Sequence, residues 1–442
     1  MATVSRALAR IKQDLKPFVR DQDILDACQQ AGHHWRKRLL DPVVTVHLFM
    51  LQILNFNTAL SHLRHLAKYP VKPAAFCKAR MRLPLEVLQS LLAKTAASAP
   101  YKRTPARWNG LRAFLVDGSS TICPDTLALQ KAFGQPVNQK PGCGFPIPKL
   151  LGLFDAFSGM IAKLLVAPLY THDLTGAWQM HDCLEPGDLL VGDRGLCSYG
   201  HLALLASKGL HGLFRLHQRM IVRFGPTRKI HGKGRPTCTF VKRLGRNDQL
   251  ADWRKPKLKA RWMSQAQHDE LPAVLRVRQL RYCVKSKGYR THVVTVVTTL
   301  LDPQEYPHEL IAELYGVRWT VETHFAELKT ALNMRQVKCK TPDGVKKELA
   351  VYCLVYNLVH ALMTEAAERQ KVDPQRISFI DTVRWLLSAS PGEDLPALVI
   401  NPKRPDRHEP RVIKDLKDTY RKMTKPRDIL KQELHLWRGR TK

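Results

Sequence analysis

The first hundred residues carry hydrophobic side chains at steps of three and four, which is the spacing of helices that bury one face. The clearest run lies between Leu40 and Leu54, and prolines at positions 70 and 73 separate the later runs. The spacing predicts four helices, over residues 40–54, 58–67, 74–81 and 85–97. We therefore expect a helical domain over residues 1–105.

The third of these helices ends in a basic cluster, with Lys78, Arg80 and Arg82. A helix, a turn and a basic helix resemble the helix-turn-helix arrangement, whose second helix enters the major groove of DNA. A small helical bundle with a basic rim would show the same pattern, so both interpretations stay open at this point. These three cations are the predicted DNA contacts of the helical domain.

After a basic, proline-containing linker the pattern changes to short apolar runs separated by helical segments. Strands are predicted at 113–116, 149–154, 160–166, 188–191 and 212–216. Helices are predicted between them at 174–184 and 199–207. Alternating strands and helices are typical of an α/β sheet domain, which we place at residues 106–217.

A basic segment then interrupts this rhythm, with 14 Lys and Arg against two acids between Arg219 and Trp262. Strand-like runs follow at 273–283 and 291–300, so residues 218–303 are predicted to form a basic β-rich insertion. Helices return at 309–331, 345–369 and 379–388, and we assign residues 304–390 to the core again. Residues 391–442 are predicted to be a basic tail, extended from Asn401 onward.

The chain of 442 residues has 71 Lys and Arg against 38 Asp and Glu, a formal net charge of +33. A hydrophobic fraction of 44% is enough to build buried cores, so broad disorder is excluded. The basic excess favours a polyanionic partner, most simply nucleic acid, over the plainer alternative of a basic solvated surface.

The ten cysteines include no Cys-x-x-Cys pair, which disfavours a zinc ribbon or a thioredoxin-like site. The amino terminus has no apolar signal core, and we find no run of about 18 uncharged apolar residues, the best lying at 43–56. We therefore expect reduced thiols and a cytoplasmic protein with no membrane-spanning segment.

Candidate chemistry begins with two acids that follow apolar strands, Asp117 and Asp193. Ligands gather at the carboxyl ends of strands in α/β sheets, although an Asp in this position is often a turn residue instead. A third element is the predicted helix over 314–332, in which Tyr315, Arg318, Glu322 and Lys329 fall on one face. The alternative for this face is a solvent-exposed stripe with an Arg318–Glu322 ion pair.

The order Tyr315-x-x-Arg318-x-x-x-Glu322, with Lys329 seven residues further on, resembles the Tyr-Arg-Glu-Lys signature of insertion-sequence family four, a branch of the bacterial DDE transposases. Trp319 fits the same signature. Five other segments resemble that family: Val116–Ser119, Gly192–Gly195, Phe133–Pro136, Pro141–Pro146 and Thr424–Arg427. The resemblance extends over about residues 35–430.

This resemblance implies an α/β, ribonuclease H-like catalytic core that is interrupted by the β-rich insertion and preceded by the helical domain. In that fold Asp117, Asp193 and Glu322 converge on two Mg²⁺ ions, for which Mn²⁺ can substitute. It also implies a homodimer at the bacterial nucleoid that binds inverted repeats and target double-stranded DNA and cuts and pastes the element. The residues implied as DNA contacts are Tyr315, Arg318, Lys329, Trp319 and Arg194.

The chemistry is consistent with this assignment, because two divalent ions about 4 Å apart can activate a nucleophile and stabilise a leaving oxygen. Hard Mg²⁺ prefers carboxylate oxygens, and three clustered acids repel each other without cations. The basic insertion, with Trp253 and Trp262, is expected to grip DNA. Two alternatives stay open, a nuclease of the same fold without strand transfer and a non-catalytic DNA-binding protein derived from a transposase.

Overall fold

One mixed β-sheet of nine strands runs through the protein in the computed structural model. The structure describes residues 19–36, 38–67, 72–97, 108–217, 220, 222–226, 238–284, 292–390, 393–402 and 423–438. Helices pack against the sheet, and the predicted α/β class is confirmed.

The strands in chain order are β1 (Ala113–Ser120), β2 (Lys149–Asp155), β3 (Ile161–Ala167), β4 (Leu189–Gly192), β5 (His211–Arg215), β6 (Cys238–Gly245), β7 (Asp248–Arg254), β8 (Val274–Val284) and β9 (His292–Thr298). Their order across the sheet is β3-β2-β1-β4-β5-β9-β8-β7-β6. β4 is parallel to both β1 and β5, and every other neighbouring pair is antiparallel. Strand β4, which has a parallel neighbour on each side, is buried throughout, as its uninterrupted apolar sequence requires.

Strand β1 is longer than predicted, because it continues through Asp117 to Ser120. Its pairing with β2 extends to Ser120, whereas its pairing with β4 stops where Val116 faces Gly192. Asp117 therefore lies inside a strand but at the carboxyl end of the parallel pairing. The predicted strand end at Val116 matches the end of the pairing with β4. The continuation of β1 to Ser120 along β2 was not predicted.

The strands of the predicted insertion continue the core sheet beyond β5. A buried ion pair fixes them there, since Arg278 of β8 donates two hydrogen bonds to Asp248 of β7, at 2.9 and 2.5 Å. The same guanidinium donates to the carbonyl oxygen of Tyr306, at 2.6 Å, and so reaches the chain that leads back to the core. The boundaries 218–303 stay a prediction, and residues 227–237 lie outside the described residues.

The helices in chain order are α1 (Asp21–Gln30), α2 (Pro42–Leu54), α3 (Leu63–Ala67), α4 (Pro73–Arg82), α5 (Leu85–Ala97), α6 (Leu127–Phe133), α7 (Asp173–Ala177), α8 (Tyr199–Ser207), α9 (Gln265–Glu270), α10 (His308–Val317), α11 (Thr320–Ala326), α12 (Pro342–Gln370), α13 (Phe379–Ser388) and α14 (Arg427–Arg438). Short 3₁₀ segments lie at Trp178–Cys183 and Pro374–Arg376, and a π-helical turn at Glu327–Ala331.

Helix α12 is the central helix of the protein and packs against the amino-terminal helices, β3 and α13. It is long and apolar enough to span a membrane, but 94% of its apolar window is buried inside the protein. This makes it a core helix, and it corrects the statement that the best apolar run lies at 43–56. Each of the ten cysteines, all of which the structure describes, is a free thiol.

A buried polar network joins the amino-terminal helices to α12. The carboxylate of Glu348 accepts hydrogen bonds from Nδ2 of Asn57, at 2.6 Å, and from the backbone N–H groups of Lys338 and Cys339, at 2.8 and 2.7 Å. Residues of α1, α2, α5 and α12 also share one hydrophobic core. The amino-terminal helices are therefore packed into the body of the protein.

Two predicted elements near the carboxyl end need correction. The helix expected over 309–331 is divided into α10, α11 and the π-helical turn, with Arg318 and Trp319 at the first junction in helical backbone conformation. The segment predicted to be an extended tail contains helix α14. The apolar and charged residues of α14 recur at the spacing of an amphipathic helix. Residues 391–392, 403–422 and 439–442 of the tail lie outside the described residues.

Candidate active site

Asp117 and Asp193 lie side by side at the end of the parallel strands β1 and β4. Val116 pairs with Gly192, and each aspartate is the next residue along its chain. Residues in register on parallel strands project from the same face of the sheet. The two predicted carboxylates are therefore neighbours, although 76 positions separate them in the sequence.

A backbone N–H group orients each aspartate. Oδ1 of Asp117 accepts from the N–H of Gly118 at 2.7 Å, and Oδ1 of Asp193 accepts from the N–H of Gly195 at 2.8 Å. The second oxygen of each carboxylate is not used in these bonds. Each aspartate is thus oriented by the hydrogen bond to its Oδ1, and its Oδ2 takes no part in that bond.

A glycine lets the helix of Glu322 approach the strand of Asp117. Gly152 of β2 faces Asp117 across the sheet. A Cβ atom at this position would lie 2.5 Å from the ring of Phe154 and 3.0 Å from the ring of Phe325, which belongs to α11. Only glycine permits this close packing of helix on sheet.

Arg318 connects Asp117 with Glu322. Its guanidinium nitrogens lie 3.7 Å from Oδ2 of Asp117 and 3.7 Å from Oε1 of Glu322. The residue is 6% exposed, whereas the Glu322 side chain is largely open to solvent. A buried cation thus lies between two of the three predicted carboxylates.

Like charges and burial act together on Asp117. Burial raises its pKa, and the nearby carboxylates of Asp193 and Glu322 raise it further, while the N–H of Gly118 and the cation of Arg318 lower it; the net direction is upward. Such mutual repulsion among the three acids is what bound cations relieve. The electrostatics therefore fit a cation-binding centre.

The remaining signature residues differ in exposure. Tyr315 is 3% exposed, and burial raises the pKa of its hydroxyl to about 12. Trp319 is 52% exposed, and the guanidinium of Arg318 lies 4.2 Å from its ring centroid. Lys329 donates a hydrogen bond to Oγ of Ser119, at 3.2 Å, and burial lowers the pKa of its ammonium group.

These positions exclude a fully solvent-exposed ion-pair stripe, because Tyr315 and Arg318 are buried against the site. They also disfavour stacking of Tyr315 on DNA, since its ring has almost no exposed surface. Among the aromatic residues of the signature, Trp319 presents the exposed ring. Arg194, next to Asp193, is exposed as well.

An open cleft of about 680 Å³ lies beside this centre, and Asp117, Ser119, Glu322, Lys329 and Arg335 line it. Sequence reasoning missed Ser119 and Arg335. It also missed Arg215, at the end of the parallel strand β5, whose charge lowers the pKa of Tyr315. For Arg215 the only available signal was its position at a strand end, which many residues share.

The basic residues of α4 have different environments. Lys78 and Arg82 are exposed, and Arg82 lines a cleft of about 290 Å³ with Arg36 and Arg38. Arg80 lies over the ring of Phe49, with 4.6 Å from its guanidinium carbon to the centroid, and donates to Oε1 of Gln52 at 3.0 Å. Arg80 thus has partners inside the protein.

One expectation about the insertion is wrong. Trp253 is buried in a hydrophobic core with residues of β8 and α8, so its ring cannot grip DNA. Trp262 is partly exposed next to the same core. Trp253 occupies a buried position in the alternating pattern of β7, whereas Trp262 lies beyond the end of that strand.

The three predicted carboxylates fit hard divalent cations, because each offers oxygen atoms and no soft donor is among them. They are not packed tightly enough to share one ion: in the described part of the chain, the one group of three ligand atoms within 4.8 Å of one another is His324, Glu327 and His360. A pair of ions about 4 Å apart tolerates a wider spacing of carboxylates than a single ion does.

A basic α/β protein with acids gathered at the ends of its parallel strands has the features of a metal-dependent enzyme that acts on DNA. The family model described as "Transposase DDE domain" matches residues 108–358, more than half of the chain. The protein belongs to this family of DNA transposases, enzymes that cleave and transfer DNA strands with divalent metal ions.

A curated relative supports the same family. The chain is 26% identical over 365 residues to the transposase InsG of insertion sequence element IS4 from Escherichia coli strain K12, an alignment that covers 78% of this chain and 77% of that protein. The resemblance to insertion-sequence family four is thereby confirmed.

A solved structure is also similar, a cryo-EM structure of the piggyBac transposase synaptic complex with hairpin DNA. The likeness has a TM-score of 0.42 at 8% sequence identity and covers 88% of this chain and 82% of that chain. A TM-score this low carries no argument about the site.

Proposed function

We propose that Asp117, Asp193 and Glu322 hold two Mg²⁺ ions, replaceable by Mn²⁺, and carry the cleavage and joining of DNA strands. The proposal is supported by the parallel register that sets Asp117 beside Asp193, with Arg318 contacting both Asp117 and Glu322. Ions bound there would activate a water or a 3′-hydroxyl and stabilise the leaving oxygen.

The side chains of the site have separate tasks in this proposal. The N–H groups of Gly118 and Gly195 fix the orientation of the two aspartates. Arg318 orients Asp117 and Glu322 and offsets part of their charge before DNA arrives. Lys329, anchored on Ser119 at the cleft wall, holds a phosphate of the element end.

Further DNA contacts surround this centre. Arg194 is exposed next to Asp193 and would bind a second phosphate. Trp319 offers its exposed ring to a base, and its packing on Arg318 fixes the ring orientation. Tyr315 acts from inside the protein, by packing against Arg318 at 5.9 Å from its guanidinium carbon to the ring centroid.

We infer that strands β1–β5 form a ribonuclease H-like core and that β6–β9 belong to the insertion. The order β3-β2-β1-β4-β5, with an antiparallel half and a parallel half, supports this assignment. The substrate would be the double-stranded inverted repeats of an element at the bacterial nucleoid, followed by target DNA. A homodimer would supply one active site for each of the two element ends.

The test is cleavage of a labelled duplex that carries the element end and its flanking DNA, with Mg²⁺ present. Asp117→Asn, Asp193→Asn and Glu322→Gln should each abolish cleavage and still shift the duplex in a binding gel, because shape is kept and ligand charge is lost. Asp182→Asn, at an exposed surface pair with Lys208, is the matched control and should cleave normally.

Retained cleavage in one carboxylate variant would remove that residue from the site. Adding a target plasmid separates the alternatives. Cleavage without joining would favour a nuclease, and binding without either step would favour a non-catalytic DNA-binding protein.

A further inference from the structure

A second group of potential metal ligands begins two residues beyond Glu322, with His324, Glu327 and His360. Oε2 of Glu327 lies 3.2 Å from Nε2 of His360 and 3.5 Å from Nδ1 of His324. Ligand atoms at about 2.0–2.2 Å from a tetrahedral Zn²⁺ are roughly 3.3–3.6 Å from one another. Both distances are close to that spacing.

His360 uses Nδ1 for a backbone hydrogen bond and directs its other ring nitrogen, Nε2, toward the carboxylate of Glu327. Nδ1 of His360 lies 2.9 Å from the carbonyl oxygen of Ser158, and since a carbonyl only accepts, this nitrogen donates. In a neutral imidazole, Nε2 then carries a lone pair directed at Oε2 of Glu327. A lone pair and a carboxylate oxygen attract only when a proton or a cation lies between them. A backbone carbonyl that fixes the other ring nitrogen is also the usual partner of a metal-binding histidine.

His324 is buried and poorly satisfied. Neither of its ring nitrogens makes a well-aligned hydrogen bond. Glu327, whose Oε2 lies 3.5 Å from Nδ1 of His324, has 17% of its side chain exposed. A half-buried carboxylate beside a buried, unsatisfied imidazole leaves polar atoms that a bound cation would satisfy.

The surrounding chain is shaped around the two imidazoles. Gly159 has a φ of +70°, and a Cβ atom there would lie 2.7 Å from Cε1 of His360 and 2.8 Å from Cε1 of His324. Any side chain would displace both rings. The hydroxyl of Tyr356 adds contacts to the Gly159 carbonyl, at 3.0 Å, and to Oε2 of Glu327, at 3.3 Å.

We propose that His324, Glu327 and His360 bind one Zn²⁺ ion in a buried structural site, separate from the carboxylates that face the DNA. Two imidazole nitrogens and one carboxylate oxygen are a donor set of the zinc type, whereas Mg²⁺ prefers oxygen ligands alone. A water molecule completes four ligands. The ion fastens the segment after Glu322 to helix α12 and to the loop between β2 and β3.

The test measures zinc itself and does not depend on DNA cleavage. Full-length protein is stripped with a chelator and titrated with Zn²⁺ in competition with a chromophoric chelator. We expect one tight ion per chain and a rise in melting temperature on its addition. His324→Gln and His360→Gln should each weaken this binding at least tenfold, with folding checked by circular dichroism.

Two controls locate the site. His201→Gln alters a buried histidine whose ring neighbour is His181, at 2.9 Å, and should keep the ion. Asp117→Asn should keep it too, whatever its effect on cleavage. If the histidine variants do not fold, Co²⁺ added to the stripped wild-type protein should give the visible absorption bands of a tetrahedral site, and Zn²⁺ should abolish them.

The proposal is overturned if the wild-type protein binds no stoichiometric Zn²⁺ and shows no such Co²⁺ bands. Unchanged affinity in folded His324→Gln and His360→Gln would overturn it as well. In either case the cluster would be a proton-bridged pair of His360 and Glu327.

Discussion

Arg318 makes contacts that an arginine in an exposed surface ion pair lacks. It is buried, it reaches two carboxylates at 3.7 Å, and it packs on Trp319. A cation held among acids keeps them close before any metal ion or DNA binds. We therefore propose that Arg318 pre-organises Asp117 and Glu322, while its contact with DNA stays a prediction.

At the scale of single residues, the strand-end positions of Asp117 and Asp193 marked them as candidates, and the family resemblance predicted that Glu322 lies near them. These signals could not select Arg215, Ser119 or the three zinc-type ligands. His360 lies on a different helix from His324, so their approach depends on how α12 packs. The spacing of side chains within one helix does not predict such contacts between two helices.

Substitutions of Trp319 and Tyr315 should differ in their effect on the affinity for DNA. Trp319→Ala should weaken binding of an element-end duplex by about 1–3 kcal/mol, since an exposed ring is lost to base stacking. Trp319→Phe should restore much of it by keeping an aromatic face over Arg318. Fluorescence anisotropy of a labelled duplex is the measurement.

Tyr315→Phe is the comparison for that series and should bind DNA nearly as the wild type does, because its ring is buried. Equal losses in Tyr315→Phe and Trp319→Ala would contradict the assignment and would mean that the Tyr315 hydroxyl contacts DNA.

At the scale of elements, helices with clear spacing were predicted closely, as in α5, α8 and α13. The failures have physical causes. Lys242 and Arg243 interrupt β6, and polar residues occupy most positions of β7, so an apolar alternation is obscured in both strands. Helix α1 has too few apolar residues to show a stripe. The break between α10 and α11 depends on packing against the sheet, which sequence periodicity does not report.

The strand β8 offers an internal comparison of two arginines. Arg278 is buried with Asp248, whereas Arg276 pairs with Asp252 at the surface and has 47% of its side chain exposed. Arg278→Ala should cost about 3–5 kcal/mol, because the charge of Asp248 is left buried without a partner. Arg276→Ala should cost about 0–1 kcal/mol.

Urea denaturation of both variants checks this difference. Similar midpoints would mean that the strands of the insertion do not depend on the buried pair for their place in the sheet.

At the scale of the whole molecule, the positive charge explains a general affinity for DNA but not its specificity. The amino-terminal helices are predicted to contact DNA, and a shortened chain that begins near Trp108 would be the obvious test. That deletion would expose the core shared by α5 and α12, so it tests folding rather than recognition. Point substitutions on exposed residues are the sounder experiment.

Lys78→Ala combined with Arg82→Ala should reduce the slope of log affinity against log salt by about two, one for each phosphate contact. Filter binding at several salt concentrations gives the slope. Lys208→Ala, a surface lysine paired with Asp182, should leave it unchanged. An unaltered slope in the double variant would remove α4 from the DNA surface.

Arg80→Ala is expected to act differently. It should lower the stability of the amino-terminal helices through lost contacts with Phe49 and Gln52, with little effect on the salt slope.

The packing of the amino-terminal helices on α12 also has a consequence for synthesis on the ribosome. The apolar faces of α2 and α5 are covered by a helix that begins only at Pro342. At about 5–20 residues per second, roughly 12–50 s pass between the translation of α5 and that of α12. During that interval the nascent chain exposes the surfaces that chaperones recognise. Until translation reaches position 322 it also lacks Glu322, one of the three proposed metal ligands, so we expect no DNA cleavage by such a chain.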